Sequence, residues 1–290
     1  MIRLHYAVDL SYQIDAPGAD CLFNIQAAHT PQQLVVNERL SLSQPRAQGW
    51  LDPQLRNRLL RLQALPGLLR LQYEATVDIA HHRAVPASLH ELPIAELPGP
   101  VLPYLYPSRY CESDRLHAMA VAQFGQLRQG HGRVLAIQDW VRQHVRFASN
   151  SSVGTTTACD TLASGVGVCR DFAHVMIALC RALNIPARFA TGLDYGADPA
   201  LGPPDFHAYV EVYLSHRWYL FDPSGTAIPM GLVRIGTGRD AADVAFATLF
   251  GPLRAQPLVV SIQSVAGSDG RPGELPWHTA EALSTDAGPV

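Results

Sequence analysis

At 290 residues the chain is long enough for one large domain or two ordinary ones. Its composition is 48% hydrophobic and 16% charged, and 22 Lys+Arg against 25 Asp+Glu leave a net charge of −3. A sizeable core is therefore available, and no chain-wide field favours nucleic acid or an anionic membrane surface. The cysteines, Cys21, Cys111, Cys159, Cys169 and Cys180, are odd in number and contain no C-x-x-C pair. That argues against a disulfide framework and fits a reducing compartment. The opening MIRLHYAVDLSY lacks a continuous apolar signal region, and no stretch reaches the roughly 18 uninterrupted apolar residues of a membrane helix. A soluble cytoplasmic protein is expected, with neither a nucleic-acid nor a membrane partner.

The first third reads as β-structure. Ile2, Leu4, Tyr6, Val8, Leu10, Tyr12 and Ile14 occupy alternate positions, the signature of a strand with one buried face. Asp15-Ala-Pro-Gly18 supplies a turn, and 22–27 and 34–42 read as weaker strands. Leu69, Leu71, Tyr73, Ala75, Val77 and Ile79 alternate clearly again. Short strands between Pro/Gly turns predict a sandwich or open barrel over residues 1–105. No reactive side chains gather there, so the region reads as scaffold or substrate-presenting. Between His81 and Pro107 lie Pro86, Pro93, Pro98, Pro100, Pro103 and Pro107, a density that excludes regular helix and central strand and reads as an extended connector. The His81-His82 pair within it is expected to be exposed and inert.

The period then changes. Ser113-Asp114 can start a helix to about Gln129, and a second helix fits 133–147 with Val134, Ile137, Val141 and Val145 as its stripe. A small-residue loop covers 148–157, and a short helix is predicted near 158–163. Ser164-Gly-Val-Gly-Val-Cys169 leads into a helix over 169–183, which Asn184-Ile-Pro186 stops. Strands follow at 187–193, 206–214 and 218–221, an α+β order for the second domain, 106–267. The polar, Gly/Pro-bearing tail, 268–290, is expected to be disordered.

Cys169 heads its helix, where unpaired backbone N–H groups and the helix dipole stabilise an anion, and the thiolate is the competent nucleophile. Cys180, in the middle of the same helix, reads as inert core. A thiolate enzyme also needs a proton carrier and a group to orient it. His207 opens one predicted strand and Asp222 closes the next; if those strands form a hairpin, the two side chains come together. His174, five residues past Cys169, is about 500° round the helix and points away from the cysteine's face, so it reads as structural. Arg170 and Asp171 are placed to cap or brace the helix start. A metal site from Cys169, His174, Cys180 and His207 matches no standard ligand spacing, and no metal or cofactor is expected.

The runs GVGVCRDFAHVMIALCRALNIPARFATG, FHAYVEVY and WYLFDPSG resemble the core of transglutaminase-like proteins. YLYPSRYCESD and IGTGRDAADVA further resemble its bacterial branch, which carries its own β-rich N-terminal region. The resemblance implies an α+β, papain-like catalytic core and a Cys169, His207, Asp222 triad. It also implies thioester-forming acyl transfer on a peptide or protein amide, completed by water (a cysteine peptidase or amidase) or by an amine (a transglutaminase). A non-catalytic peptide-binding scaffold is the rival reading, and an incomplete triad would be its sign. Members often carry Trp two residues after the histidine and Thr-Asn after Asp-Pro, whereas this chain has Tyr209 and Ser224-Gly225. The Cys169 backbone N–H is one expected oxyanion donor; Asn150, Ser151 and Ser152 are candidates for the second, and Tyr209 for the substrate wall.

Overall fold

The computed structural model describes residues 1–44, 47–197, 204–267 and 273–286. The alternating N-terminal stretch forms β1 (Ile2–Ile14), buried at every even-numbered residue. It is followed by β2 (Ala19–Phe23), β3 (Gln33–Leu42), β4 (Ala47–Leu51), β5 (Arg58–Ala64) and β6 (Gly67–Ile79). β1 and β6 pair antiparallel from Ile2↔Ile79 to Ile14↔Gly67, so Leu4 and Val77, Tyr6 and Ala75, and Leu10 and Leu71 line one face. Cys21 and Phe23 of β2 and Leu60 and Leu62 of β5 pack against that face, giving two sheets over one core. The region is a sandwich.

After β7 (His82–Ala84) the proline-rich segment does not run extended. It folds into three short 3-10 turns at Pro86–Ser88, Ile94–Glu96 and Gly99–Leu105. Leu92, Leu97, Val101 and Tyr104 bury against Tyr213 and Trp218, with the Tyr104 and Trp218 rings edge-on at 5.1 Å. Proline removes backbone donors but fixes φ near the value such turns use, so the segment becomes a packed strap. His81 and His82 are half-buried rather than exposed, because His82 is in β7 and its ring lies 6.2 Å from that of Tyr219.

The remainder is α1 (Ser113–Phe124), α2 (His131–His144), β8 (Arg146–Phe147), α3 (Ala158–Ser164), β9 (Val166–Gly167), α4 (Cys169–Ala182), β10 (Ala187–Asp194), β11 (Phe206–Leu214), β12 (Arg217–Phe221) and β13 (Leu232–Gly238). α4 is buried from Asp171 to Ala182. It shares a core with α1, α2 and the sheet residues Ala208, Val210 and Val212. That antiparallel sheet has the order β12-β11-β10-β13. Its edge strand β13 is covered by the sandwich. Gln33 donates to the Arg234 carbonyl (2.8 Å) and accepts from its N–H (2.8 Å), while Asn57 does the same for Thr237 (2.9 Å each). Leu193, Val233 and Ile235 continue the sandwich core, so both halves share apolar packing.

The chain then returns to the sandwich. β14 (Ala247–Phe250) pairs with β2, while β15 (Leu253–Ala255) and β16 (Val259–Ser264) pair with β1. The C-terminal part of the expected 106–267 unit thus completes the N-terminal sheets. Residues 273–286, expected within a disordered tail, carry β17 (Ala282–Ser284), which pairs with β7. Ala282, Leu283 and Thr285 are buried. Asp286 joins Glu211 between Arg188 and Arg234, so the end of the segment is held by buried ion pairs as well as by apolar contact. Residues 268–272 and 287–290 of that tail lie outside the described residues. Leu283→Ala should destabilise the protein by about 2–4 kcal/mol in urea unfolding. No change would mean that the segment is not docked.

Candidate active site

The helix that carries Cys169 starts on a built turn. Gly165 ends α3 at φ 68°, β9 pairs with β8, and the Asp171 carboxylate accepts the Val168 N–H at 2.8 Å. Asp171 also accepts from the Ser152 hydroxyl at 2.9 Å and pairs with Arg170 at 3.2 Å, which in turn donates to the Val153 carbonyl at 2.7 Å. Arg170 and Asp171 brace the helix start, and Cys169 is its first residue. Its thiol is partly exposed, whereas Cys180 is fully buried and burial pushes that thiol far above its usual range. His174 is also fully buried, its ring 5.0 Å from Tyr110 and 5.3 Å from Phe189, with Nε2 accepting the Ala241 N–H.

β11 and β12 form the anticipated hairpin. The register Val210↔Phe221 puts Asp222, just past β12, at the end of the sheet where His207 enters β11. His207 Nε2 lies 3.5 Å from Asp222 Oδ1 and 3.5 Å from the Ser224 hydroxyl, and the Cys169 thiol is near enough to the imidazole to favour its charged form. Asp222 is held in turn: Oδ1 accepts the Ser224 N–H (3.0 Å) and hydroxyl (2.6 Å), and Oδ2 accepts the Ala227 N–H at 3.3 Å. Arg142 of α2 donates to the Asp222 carbonyl oxygen. Burial alone would raise the Asp222 carboxyl, but the His207 hydrogen bond and charge, Ser224 and Arg142 outweigh it and hold it below the usual carboxylate range.

A second carboxylate, which the sequence did not mark, completes the group. Asp194 Oδ2 lies 3.1 Å from His207 Nδ1, and the Tyr209 hydroxyl donates to Asp194 Oδ1. The register explains the meeting: His207 is paired with Gly192, and Asp194 is two residues further along the same strand, on the same face. Burial would lower the His207 ring, but Asp194, Cys169 and Asp222 more than offset it and place it well above the ordinary imidazole value.

The other anticipated residues are placed differently. The Ser151 hydroxyl donates to the Ala148 carbonyl at 2.7 Å and that of Ser152 to Asp171, so both protons serve the loop and the helix start. Asn150 is exposed at φ 62°. Tyr209 is fully buried and braces Asp194 instead of facing a substrate wall. The one available clue to Asp194 was Tyr209 itself, a hydroxyl where members of the resembled family often carry an indole.

Comparison with known proteins identifies the family. Residues 118–223 match the transglutaminase-like superfamily, and residues 2–100 match the bacterial transglutaminase N-terminal domain. The crystal structure of a "Putative Cysteine Protease" from Cytophaga hutchinsonii is 36% identical, covers 98% of this chain and 97% of its own, and superposes with a TM-score of 0.88. The chain belongs to the transglutaminase-like superfamily. Uncharacterized protein ML0607 of Mycobacterium leprae is 26% identical over 146 residues, 49% of this chain, and the match spans about half (52%) of that relative's length. The periplasmic domain of TgpA from Pseudomonas aeruginosa is more distant, at 18% identity over 79% of this chain and 92% of its own, with a TM-score of 0.40. Among the described residues no helix is long and apolar enough to cross a membrane.

In this transglutaminase-like sheet, Gly192 fixes how closely β13 approaches β10. The pairing shifts register at Thr191/Gly192, and a Cβ on Gly192 would lie 2.2 Å from the Val233 carbonyl oxygen. Gly192→Ala should therefore cost about 1–3 kcal/mol in urea unfolding, because the obstacle is backbone. Wild-type stability would show that the approach is not constrained there.

Proposed function

We propose that the chain is a cysteine-dependent acyl-transfer enzyme that hydrolyses a peptide or side-chain amide bond through a thioacyl intermediate. The observation that carries this reading is the convergence of a partly exposed, helix-heading Cys169 on the His207 imidazole, whose Nε2 lies 3.5 Å from Asp222 Oδ1. In this reading Cys169 is the nucleophile, His207 the proton carrier and Asp222 the group that orients the ring and stabilises its charge. The Cys169 thiolate bonds to the carbonyl carbon, and the oxygen's developing charge is met by the Cys169 backbone N–H in the unpaired first turn. The C–N bond breaks as His207 gives its proton to the leaving amine. Water, deprotonated by His207, then attacks the thioester; the C–S bond breaks and the acid leaves. An amine in place of water would give transamidation by the same steps.

The match to a bacterial transglutaminase N-terminal domain keeps that second outcome in view, while the Cytophaga hutchinsonii relative favours hydrolysis. Cys159 provides an internal control for the thiol. It is also partly exposed, but burial and the neighbouring Glu112 push it up to about 11. Near neutral pH, iodoacetamide should label Cys169 at least about tenfold faster than Cys159. Equal rates, read by mass spectrometry of tryptic peptides, would remove the poised nucleophile.

Turnover of a peptide library, with and without an added primary amine, should yield free acids in the first case and show whether amides form in the second. Cys169→Ala should reduce either product by at least about 10³-fold. Product formation that survives this substitution would refute the mechanism.

A further inference from the structure

His207 has one carboxylate more than the proposed mechanism uses. Asp194 is 5% exposed, so its charge is almost wholly out of water, and the cost of burying it must be met locally. Oδ1 takes the Tyr209 hydroxyl, while Oδ2 accepts no well-directed hydrogen bond and has the His207 Nδ1 at 3.1 Å as its ion-pair neighbour. An imidazole that faces a carboxylate at each nitrogen, Asp194 at Nδ1 and Asp222 at Nε2, can donate to both only when it is protonated; otherwise one carboxylate must take up the proton. The surroundings favour the first arrangement. Tyr209 from β11 stabilises the carboxylate, and burial leaves Asp194 pushed up only to about 6 after the opposing pull of His207 and Tyr209.

We infer that Asp194 is a second carboxylate partner of His207, a positioning residue that keeps the ring charged and orients it from the Nδ1 side, with Tyr209 holding it in place. The inference rests on the acyl-transfer reading for its purpose, but not for its geometry. The other groups that bear on the pair are Asp222 from the end of β12, Cys169 from the start of α4 and Asp205 just before β11, with Arg142 of α2 acting through Asp222. Asp222 carries the Nε2 side and is itself held low, so it is ionised when Asp194 titrates. Between the two midpoints, Asp194 near 6 and His207 well above its ordinary value, the pair holds one proton, on the ring. A ring kept charged in this way is the state from which His207 can give a proton to the leaving amine. Loss of the Asp194 charge makes the ring a weaker base and lowers the pH at which it runs out of proton.

The test is an NMR titration of the His207 ring in the full chain, with its signal assigned by its disappearance in His207→Gln. In the wild-type protein the ring should sense Asp194 as an inflection near pH 6 and deprotonate only well above its ordinary value. In Asp194→Asn the inflection should vanish and the ring midpoint should fall by at least about one unit, tenfold in the imidazolium dissociation constant. Tyr209→Phe should leave the upper midpoint in place and move the Asp194 inflection to higher pH. A ring midpoint in Asp194→Asn within about 0.3 units of wild type overturns the inference. So does a wild-type ring without the inflection, which needs no variant to fold. The titration uses no substrate, so a failed proposed function shows separately, as a Cys169 that labels no faster than Cys159. With active enzyme, the alkaline limb of turnover should move down with the ring midpoint in Asp194→Asn; a fixed limb beside a moved ring would overturn the positioning role.

Discussion

Everything at the candidate site depends on keeping an imidazole between carboxylates that water cannot reach. Asp222 is 1% exposed, Asp194 5% and His207 8%, so each formal charge is held by neighbours instead of solvent. One imidazolium against two carboxylates leaves an excess of negative charge. The protein spreads it over neutral donors: Tyr209 on Asp194, and Ser224 and the Ala227 N–H on Asp222. These donors are fixed by the fold before any substrate arrives. That is the condition under which buried dipoles stabilise charge without reorganising.

The fold meets that requirement with three neighbouring strands. β10 brings Asp194, β11 brings His207 and Tyr209, and the end of β12 brings Asp222, so the relative heights of these groups are set by backbone register. Register in turn needs a protected edge. β13, outside β10, would present free N–H and C=O groups were it not for Gln33 and Asn57, which reach over from the sandwich. The N-terminal region is therefore the cover of an edge of the sheet that carries the site. The C-terminal strands pair with the same sandwich and tie the two ends of the chain to it.

Much of this was legible in the sequence, and what was not has physical causes. β1 alternates strictly over its whole length and β6 over most of it because one face is core, and α4 was legible from its Gly-Val-Gly-Val lead-in and its Asn-Ile-Pro stop. His207 and Asp222 came from motif and an inferred hairpin, and their contact is a product of register. β14, β15 and β17 are three or four residues long and take their partners from the first third of the chain, so no local period could reveal them. Asp194 was hidden for a related reason. It ends a strand before a stretch of sequence rich in Pro, Gly and Asp, where an aspartate is ordinary, and only the diagonal relation to His207 across the β10–β11 pair gives it meaning. The strap at 86–105 was misread because proline density reports what a segment cannot form, while burial of Leu92, Leu97 and Tyr104 decides where it goes.

The two departures from the family pattern separate cleanly on chemistry. Ser224 stands where threonine is common, and the part used is the hydroxyl, which sits 2.6 Å from Asp222 Oδ1; serine keeps it. Gly225 stands where asparagine is common, and its φ of 68° explains the pairing of those two residue types, since glycine and asparagine enter the left-handed region most readily. A Cβ there would also come within 3.1 Å of Arg142 Nε, and the same guanidinium donates through a terminal nitrogen to the Asp222 carbonyl. The Asp-Pro-Ser-Gly turn thus retains what Asp222 needs. Tyr209 is the substitution that changes something. It supplies a phenolic hydroxyl to a buried carboxylate, and that carboxylate is the one that faces His207 from the side Asp222 does not cover.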